Sequence, residues 1–397
     1  MTTKDLYIYP EDCCGCEACA QICPKNNIEM RQDLEGFYYP SITNEDNCVN
    51  CGRCIAVCPM KNPSRKTQGI RNSFGGYSND HLRIRQSASG GFAYTISSLL
   101  ISHGGVVYGV RYSENDIRMI EYTRCDTMEQ LLSTRGSKYV QSRKKIVFKL
   151  VQKDLKNGLI VLFIGLPCEV AALYRFLGNN TDNLYTINLI CHGPTSMKVH
   201  SEFISQLLKE NKHSLIKDFS VRYKKTAWKP YFIHAVFEDN TNYCTEFANT
   251  EYGVAFQNLK RPSCAKCRFK VYDKDFGISA DLTIGDFHLA QNGMPHYNSW
   301  GSSQVSSHSD KGDFLLEMLK KDMTLFPITE KEAVLYNKAF YKPTYVRWNR
   351  RIFSAVFIRK GLKMACEHWS VSLINDFVKI KRLLKGIIAS WLRKIRH

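Results

Sequence analysis

Sixteen cysteines stand in the 397-residue chain, and eight of them keep a repeated spacing. Cys13, Cys16, Cys19 and Cys23 fit C-x2-C-x2-C-x3-C with Pro24 behind them. Cys48, Cys51, Cys54 and Cys58 repeat the run before Pro59, each displaced by the same 35 residues. Thiolates at this spacing suit a 4Fe–4S cubane. Three on a tight turn reach three irons, and the fourth iron is approached from elsewhere, so the last cysteine of each run serves the other cluster. The expected ligand sets are Cys13, Cys16, Cys19 and Cys58 for one cluster, and Cys48, Cys51, Cys54 and Cys23 for the second. Zinc sites usually separate two C-x2–4-C knuckles by a longer loop, and this duplicated order does not. Cys14 is surplus to the pattern and reads as a small turn residue.

The ligand order is that of bacterial two-cluster ferredoxins, and so many thiols bear on the compartment. The N-terminal MTTKDLYIYP has neither the basic start nor the apolar run of a signal peptide. The longest apolar run, at 158–166, is too short to span a bilayer. The expectation is a cytoplasmic protein, where thiols stay reduced and disulfides are rare. Hydrophobic content of 44% and charged content of 23% suit a globular chain, long enough for two or three domains. The formal charge of +18 is uneven. Residues 1–70 carry seven Lys/Arg against nine Asp/Glu, whereas residues 340–397 carry fourteen against two. The basic character belongs to the C-terminal region, and no nucleic-acid module accompanies it.

The cysteine loops need a scaffold. Residues 25–47 carry an aromatic, glycine-containing insert expected to form a hairpin between them. From residue 73 the texture changes. RQSASGGF (85–92) is a small-residue loop, and Phe92, Ile96, Leu99 and Leu100 follow at helical spacing up to Gly104-Gly105, with VVYGV as a strand behind. Such a loop can offer N–H groups and hydroxyls to a phosphate, although an N-cap at Ser87 or Ser89 explains it almost as well. Residues 159–165 read as a buried strand, and Pro167 as the first position of a helix. Cys168 then sits at a helix N-terminus, where the dipole favours thiolate. LYTINLIC (184–191) is a second strand, ending in Cys191. If the two are parallel neighbours, both cysteines emerge at the carboxyl edge where open α/β sheets bind ligands. Cys264-x2-Cys267 adds a knuckle. The four suit a third 4Fe–4S site; the competing reading is two buried small residues and a knuckle that holds zinc or nothing. Cys125, Cys244 and Cys366 read as structural.

In this order the pieces resemble the beta subunit of coenzyme F420-reducing hydrogenase and related dehydrogenases, over roughly residues 1–345. The motifs that carry the resemblance are the cysteine repeat, QSASGG (86–91), GGVVYG (104–109), RGSKYVQS (135–142), FIGLPCEVAAL (163–173), INLICHGPTS (187–196), RPSCAKCRFK (261–270) and ADLTIGDF (280–287). The resemblance implies a flavoprotein, with FAD in preference to FMN, that passes electrons between iron–sulfur clusters and the flavin. A deazaflavin or another small hydride carrier, or a redox protein, would be the partner. It also implies that Cys168, Cys191, Cys264 and Cys267 ligate a third cluster beside the flavin. Bacterial members are similar to proteins associated with surface-polysaccharide pathways. Two positions depart from the family's small-Thr-Pro-Cys-Gln turn, where Leu166 and Glu169 replace a hydroxyl and an amide.

The expected fold is α+β: a bacterial-ferredoxin-like domain at 1–62, a linker at 63–72, a larger mixed α/β flavin-binding domain at 73–340 and a basic helical tail at 341–397. Flavin contacts are expected from Ser87, Ser89, Gly90 and Gly91. Ser137 and Lys138 would meet a phosphate or the pyrimidine edge, Lys138 reading otherwise as a solvated surface charge. Asp281 and Asp286 bind sugar hydroxyls or cap turns. His192 hydrogen-bonds a cluster or is structural. In the tail Leu373, Phe377, Ile380, Leu384, Ile387, Trp391 and Ile395 make one helical stripe, with Lys379, Lys381, Arg382, Lys385, Arg393, Lys394 and Arg396 around it. Such a helix docks on the inner face of an anionic membrane, or packs on its own domain. The leading function is a flavin-dependent iron–sulfur oxidoreductase. The rivals are an electron-carrier subunit without flavin and a redox-sensing or assembly protein.

Overall fold

A computed structural model describes residues 3–374, apart from 65, 66, 68, 179, 180 and 336. In the head, strands β1 (Ile28–Gln32) and β2 (Tyr38–Ile42) form the expected antiparallel hairpin, with Ile28 opposite Ile42. Short helices at Ala18–Ile22 and Arg53–Ala56 follow the two cysteine turns. The duplication extends to the backbone. Gly15 (φ 68°) and Glu17 (φ 63°) are left-handed, and so are Asn50 (φ 49°) and Gly52 (φ 69°), at the same 35-residue displacement. Each turn therefore curls the same way around the ground its cysteines enclose.

The second domain is built on strands β3 (Ser73–Ser78), β4 (Val106–Tyr112), β5 (Ile120–Cys125), β6 (Val161–Gly165), β7 (Leu184–Leu189), β8 (Ile216–Tyr223), β9 (Phe232–Phe237), β10 (Asn242–Glu246), β11 (Leu282–Asp286), β12 (Ser303–Ser307) and β13 (Met323–Pro327). Eight of these make one mixed sheet in the order β13-β3-β12-β11-β7-β6-β4-β5. Its centre, β4, β6, β7 and β11, is parallel, and antiparallel pairs close both flanks. Helices cover both faces, which is why β6 is apolar on both sides. Leu162 enters the core beneath helix α1 (Phe92–Ser102), whereas Val161 and Phe163 enter the one beneath α2 (Val147–Lys156) and α3 (Pro167–Leu177).

Strands β8 to β10 form a separate antiparallel sheet that the sequence did not reveal. It packs with α4 (Met197–Asn211) and α5 (Arg350–Glu367) into a third core. The boundary expected at 341 is corrected by that helix. Phe353 and Phe357, one turn apart on α5, are fully buried, and truncating either to alanine has a typical cost of about 3–5 kcal/mol. Helix α5 kinks at Gly361, whose φ of 80° suits glycine. Of the proposed tail stripe only Leu373 is described, and it is exposed; the rest, from Phe377 to Ile395 with its basic residues, lies outside the described residues. No described helix is long and apolar enough to cross a membrane.

The head is fastened to the second domain. Phe37 is buried in the α4/α5 core. Phe148 N donates to Gln21 Oε1 at 2.8 Å, Arg143 pairs with Glu17 at 2.8 Å, and Arg350 pairs with Glu35 at 2.5 Å. The 63–72 segment is also tied down at its end, with Arg71 paired to Asp310 and Asp313.

Candidate redox site

The twelve expected ligand cysteines fall into three neighbourhoods, although among the described residues no three histidine, cysteine or carboxylate side chains stand as a ready-made metal site. Cys19 is flanked by Cys16, Cys13, Cys58 and Cys54, and Cys58 by Cys16 and Cys13. Burial, reinforced by these neighbours, pushes the Cys19 thiol far up and Cys58 up to about 12. Bare thiolates are therefore disfavoured there, and iron, which requires thiolates, would supply the missing positive charge. Cys23, Cys48, Cys51 and Cys54 line one small cavity with Ile28 and Ile42. Cys58 thus lies by the first run and Cys23 by the second. Cys51 is exposed, so this second group faces solvent.

Cys168, Cys191, Cys264 and Cys267 form the third group, each within electrostatic reach of the others. β6 and β7 are parallel neighbours, with Ile164 opposite Ile187. Cys168 is therefore presented in the first turn of α3 at the same sheet edge where Cys191 follows β7. Gly193 lets the Cys264 turn, a short 3-10 helix at Pro262–Lys266, approach. A Cβ on Gly193 would lie 3.2 Å from Cys264 Sγ, and its φ is 81°. Cys14 corrects the reading of a spare turn residue, because its thiol contacts both Cys16 and Cys168 and so lies between the first and third groups. Nothing in the local spacing could show that, since Cys168 is 154 residues away.

Beside the third group opens a cavity of about 610 Å³, with Cys191 in its wall. Ser87, Ser89, Gly91, Ser137, Lys138 and Asp286 line it, as expected. Two expected residues do not. Gly90 lies behind the loop, its N–H donating to Ser303 Oγ at 2.8 Å. Asp281 is fully buried and structural, its carboxylate accepting from Thr186 N (2.9 Å), Thr186 Oγ1 (2.8 Å) and Ser309 Oγ (2.6 Å). Ser89 turns its hydroxyl to the Ser302 carbonyl (2.7 Å), and its own carbonyl accepts from Lys224 Nζ (2.7 Å).

Lys138 is buried rather than solvated, and its ammonium donates to the carbonyls of Arg135 (2.7 Å) and Gly136 (3.3 Å). Burial pushes it down to about 7. Asp286 pairs with Arg222 at 2.5 Å; burial opposes its charge, but the guanidinium holds the carboxyl below its ordinary range. His192, also in the wall, is pushed down to about 4 by burial and then by Lys260. Sequence reasoning missed Ser97 and Arg222. Ser97 Oγ and Arg222 Nε are buried, belong to lining residues and have no hydrogen-bond partner among the described residues. Neither sits in a motif that would single it out.

The two departures have a structural account. Glu169 is buried and lines the cavity, with Oε1 2.5 Å from Lys144 Nζ. Its Oε2 accepts from Tyr122 Oη at 2.7 Å and Leu166 N at 2.9 Å. Leu166, preceding α3, offers no hydroxyl, and the Glu169 carboxylate takes over the capping of that helix.

Residues 159–331 match the family described as the C-terminal part of the coenzyme F420 hydrogenase/dehydrogenase beta subunit. Residues 12–62 match a 4Fe–4S dicluster domain, and a second dicluster match covers 40–128. Residues 159–331 are thus similar to the C-terminal part of that beta-subunit family, behind a head similar to 4Fe–4S dicluster domains. The chain is an iron–sulfur electron-transfer protein related to that oxidoreductase family. A solved structure of the F420-reducing [NiFe] hydrogenase complex from Methanosarcina barkeri matches at 16% identity with a TM-score of 0.45, covering 75% of this chain and 91% of that one. No curated protein matches the chain in sequence.

Proposed function

We propose that the chain is an iron–sulfur flavoprotein oxidoreductase that passes electrons between three 4Fe–4S clusters and a flavin held in the 610 Å³ cavity. The observation that carries this reading is the cavity itself, whose wall includes Cys191 of the third group. A cavity of this size suits an organic cofactor. A flavin, when bound, exchanges electron pairs as hydride with an organic partner and single electrons with clusters.

The chain's own residues divide the remaining work. The Ser87–Gly91 loop and the Gly136–Lys138 loop both shape the wall, joined at their edges where Arg135 donates to Gln86. Arg222, paired with Asp286, adds a guanidinium to the wall. The exposed Cys51 group receives or delivers electrons at a redox partner protein, and the Cys13 group with Cys14 leads inward to Cys168. The organic partner is a deazaflavin-like or other small hydride carrier that shares the cavity.

The test is the flavin released when anaerobically purified protein is denatured. About one flavin per chain is expected, FAD in preference to FMN. None, with the clusters intact and added flavin failing to bind, would reduce the chain to an electron carrier. A pH dependence follows from Lys138. Its folded value lies near 7, so above that pH an anion that pairs with the ammonium must bring its own proton. Affinity of the flavin-free protein for the flavin phosphate is expected to be level below pH 7. Above it, affinity should fall by up to about tenfold per pH unit. Binding titrations between pH 6 and 9 measure this, and a flat profile would remove Lys138 from the phosphate contacts.

A further inference from the structure

Arg261 opens the segment that carries Cys264 and Cys267, and its side chain runs back to the head. It is 1% exposed, buried as deeply as the largest core residues. Its Nε donates to the Cys13 carbonyl at 2.9 Å, Nη1 to Gln141 Oε1 at 2.5 Å and Nη2 to the Tyr38 carbonyl at 3.1 Å. The guanidinium lies 4.3 Å from the Tyr39 ring centroid. Gln141 in turn donates to the carbonyls of Cys14 (3.2 Å) and Gly15 (2.8 Å). A Cβ on Gly15 would fall 1.8 Å from Gln141 Nε2 and 2.8 Å from Arg261 Nη1, so only glycine admits this approach.

All of these hydrogen-bond partners are neutral. Asp33 feels the guanidinium from farther away but forms no ion pair with it among the described residues. A buried charge without a counter-ion costs several kcal/mol, so something else must compensate it. The acidic groups around Arg261 are Cys13, Tyr39, Cys14 and Cys264. The Tyr39 phenol and the Cys14 thiol are held protonated, so negative charge would come from Cys13 on the head side and Cys264 on the other when they ligate clusters. Cys264 N also donates to the Arg261 carbonyl at 3.0 Å, which holds the third group's knuckle to the same residue. Four thiolates around a 4Fe–4S core leave a net negative charge, and adding an electron increases it.

We propose that Arg261 is a positioning residue that also serves as the counter-charge shared by the first and third clusters, raising the reduction potential of both. This rests on the reading of Cys13/Cys16/Cys19/Cys58 and Cys168/Cys191/Cys264/Cys267 as cluster ligands. The guanidinium favours the electron on either side of the head–domain boundary and makes the crossing nearly level. The exposed Cys51 cluster lies outside its contacts and keeps its own potential.

The experiment is an anaerobic redox titration of the full chain followed by electron paramagnetic resonance, with iron analysis of each sample, for wild type, Arg261→Gln and Arg261→Lys. In Arg261→Gln two of the three clusters should show at least a tenfold lower reduced-to-oxidised ratio at fixed potential, a shift of about 59 mV. The third should be unmoved. Arg261→Lys, which keeps the charge, should stay within threefold of wild type for all three. Unchanged ratios in Arg261→Gln with full iron would overturn the proposal, and so would equal losses in both variants. If Arg261→Gln loses iron, the lysine variant decides alone: ratios near wild type support the charge role, and a tenfold fall rejects it. A wild-type chain without three clusters by iron and resonance would instead remove the ligand assignment, and the proposal with it.

Discussion

Replacing Cys168 and Cys267 together by serine should lower the iron content by about four atoms per chain while leaving about eight in the head. The expectation follows from the placement of the four thiols. Cys168 is fixed by the first turn of α3 and Cys267 by the knuckle that follows Arg261, so each approaches from a different element. Serine keeps the volume and removes the soft thiolate that iron requires. The head has its own eight expected ligand cysteines, none of them changed, so its resonance should persist. Iron analysis and low-temperature resonance on anaerobic protein are the readouts. Full iron in a folded double variant would leave the third group as four ordinary buried cysteines.

Restoring the family's amide by Glu169→Gln should destabilise this protein rather than leave it neutral. Glutamine can still accept from Tyr122 and Leu166 N, so the cap survives. What it loses is the charge opposite Lys144, which is 1% exposed and otherwise donates to the Ser142 carbonyl at 2.8 Å. Burial alone would lower the Lys144 value; Glu169, then Glu17, raise it above the ordinary lysine range. Stranding such an ammonium costs about 3–5 kcal/mol, or roughly 5 °C or more in the midpoint of anaerobic thermal unfolding. Adding Lys144→Met should recover at least half of the loss, because the cost lies in the unpaired charge. The raised value sets the pH window. The pair's contribution is complete below about pH 10.4 and fades as pH rises through the higher folded value. A single variant as stable as wild type would show that water or relaxation reaches Lys144.

The cysteine repeat made the head legible because cluster ligation fixes both residue type and spacing, and the left-handed turns at Gly15/Asn50 and Glu17/Gly52 repeat with it. The α1, β6–α3 and β7 segments were legible for the usual reasons: helical spacing, an apolar run and Pro167 at a helix start. The second sheet was not, because β8 to β10 alternate weakly and their core is completed not only by α4 just before them but by α5 from a distant part of the chain. Residues that act by long-range contact were equally hidden. Asp281 stands in a motif and turned out to brace Thr186 and Ser309, whereas Arg222 and Ser97 stand in none and belong to the cavity wall. Glu169 was visible only as a departure. Its meaning required Lys144, 25 residues earlier in the chain.

The most direct test of electron passage from the head to the cavity is the rate at which flavin bound to the full chain is reduced by a one-electron protein donor under anaerobic stopped flow. The account predicts rapid reduction in wild type. In the Cys168/Cys267 serine variant, still carrying its head clusters and flavin, the rate should fall at least a hundredfold, since the third cluster is the inner step of the route. Equal rates in the two proteins would contradict the account and place the flavin's electron entry elsewhere on the chain.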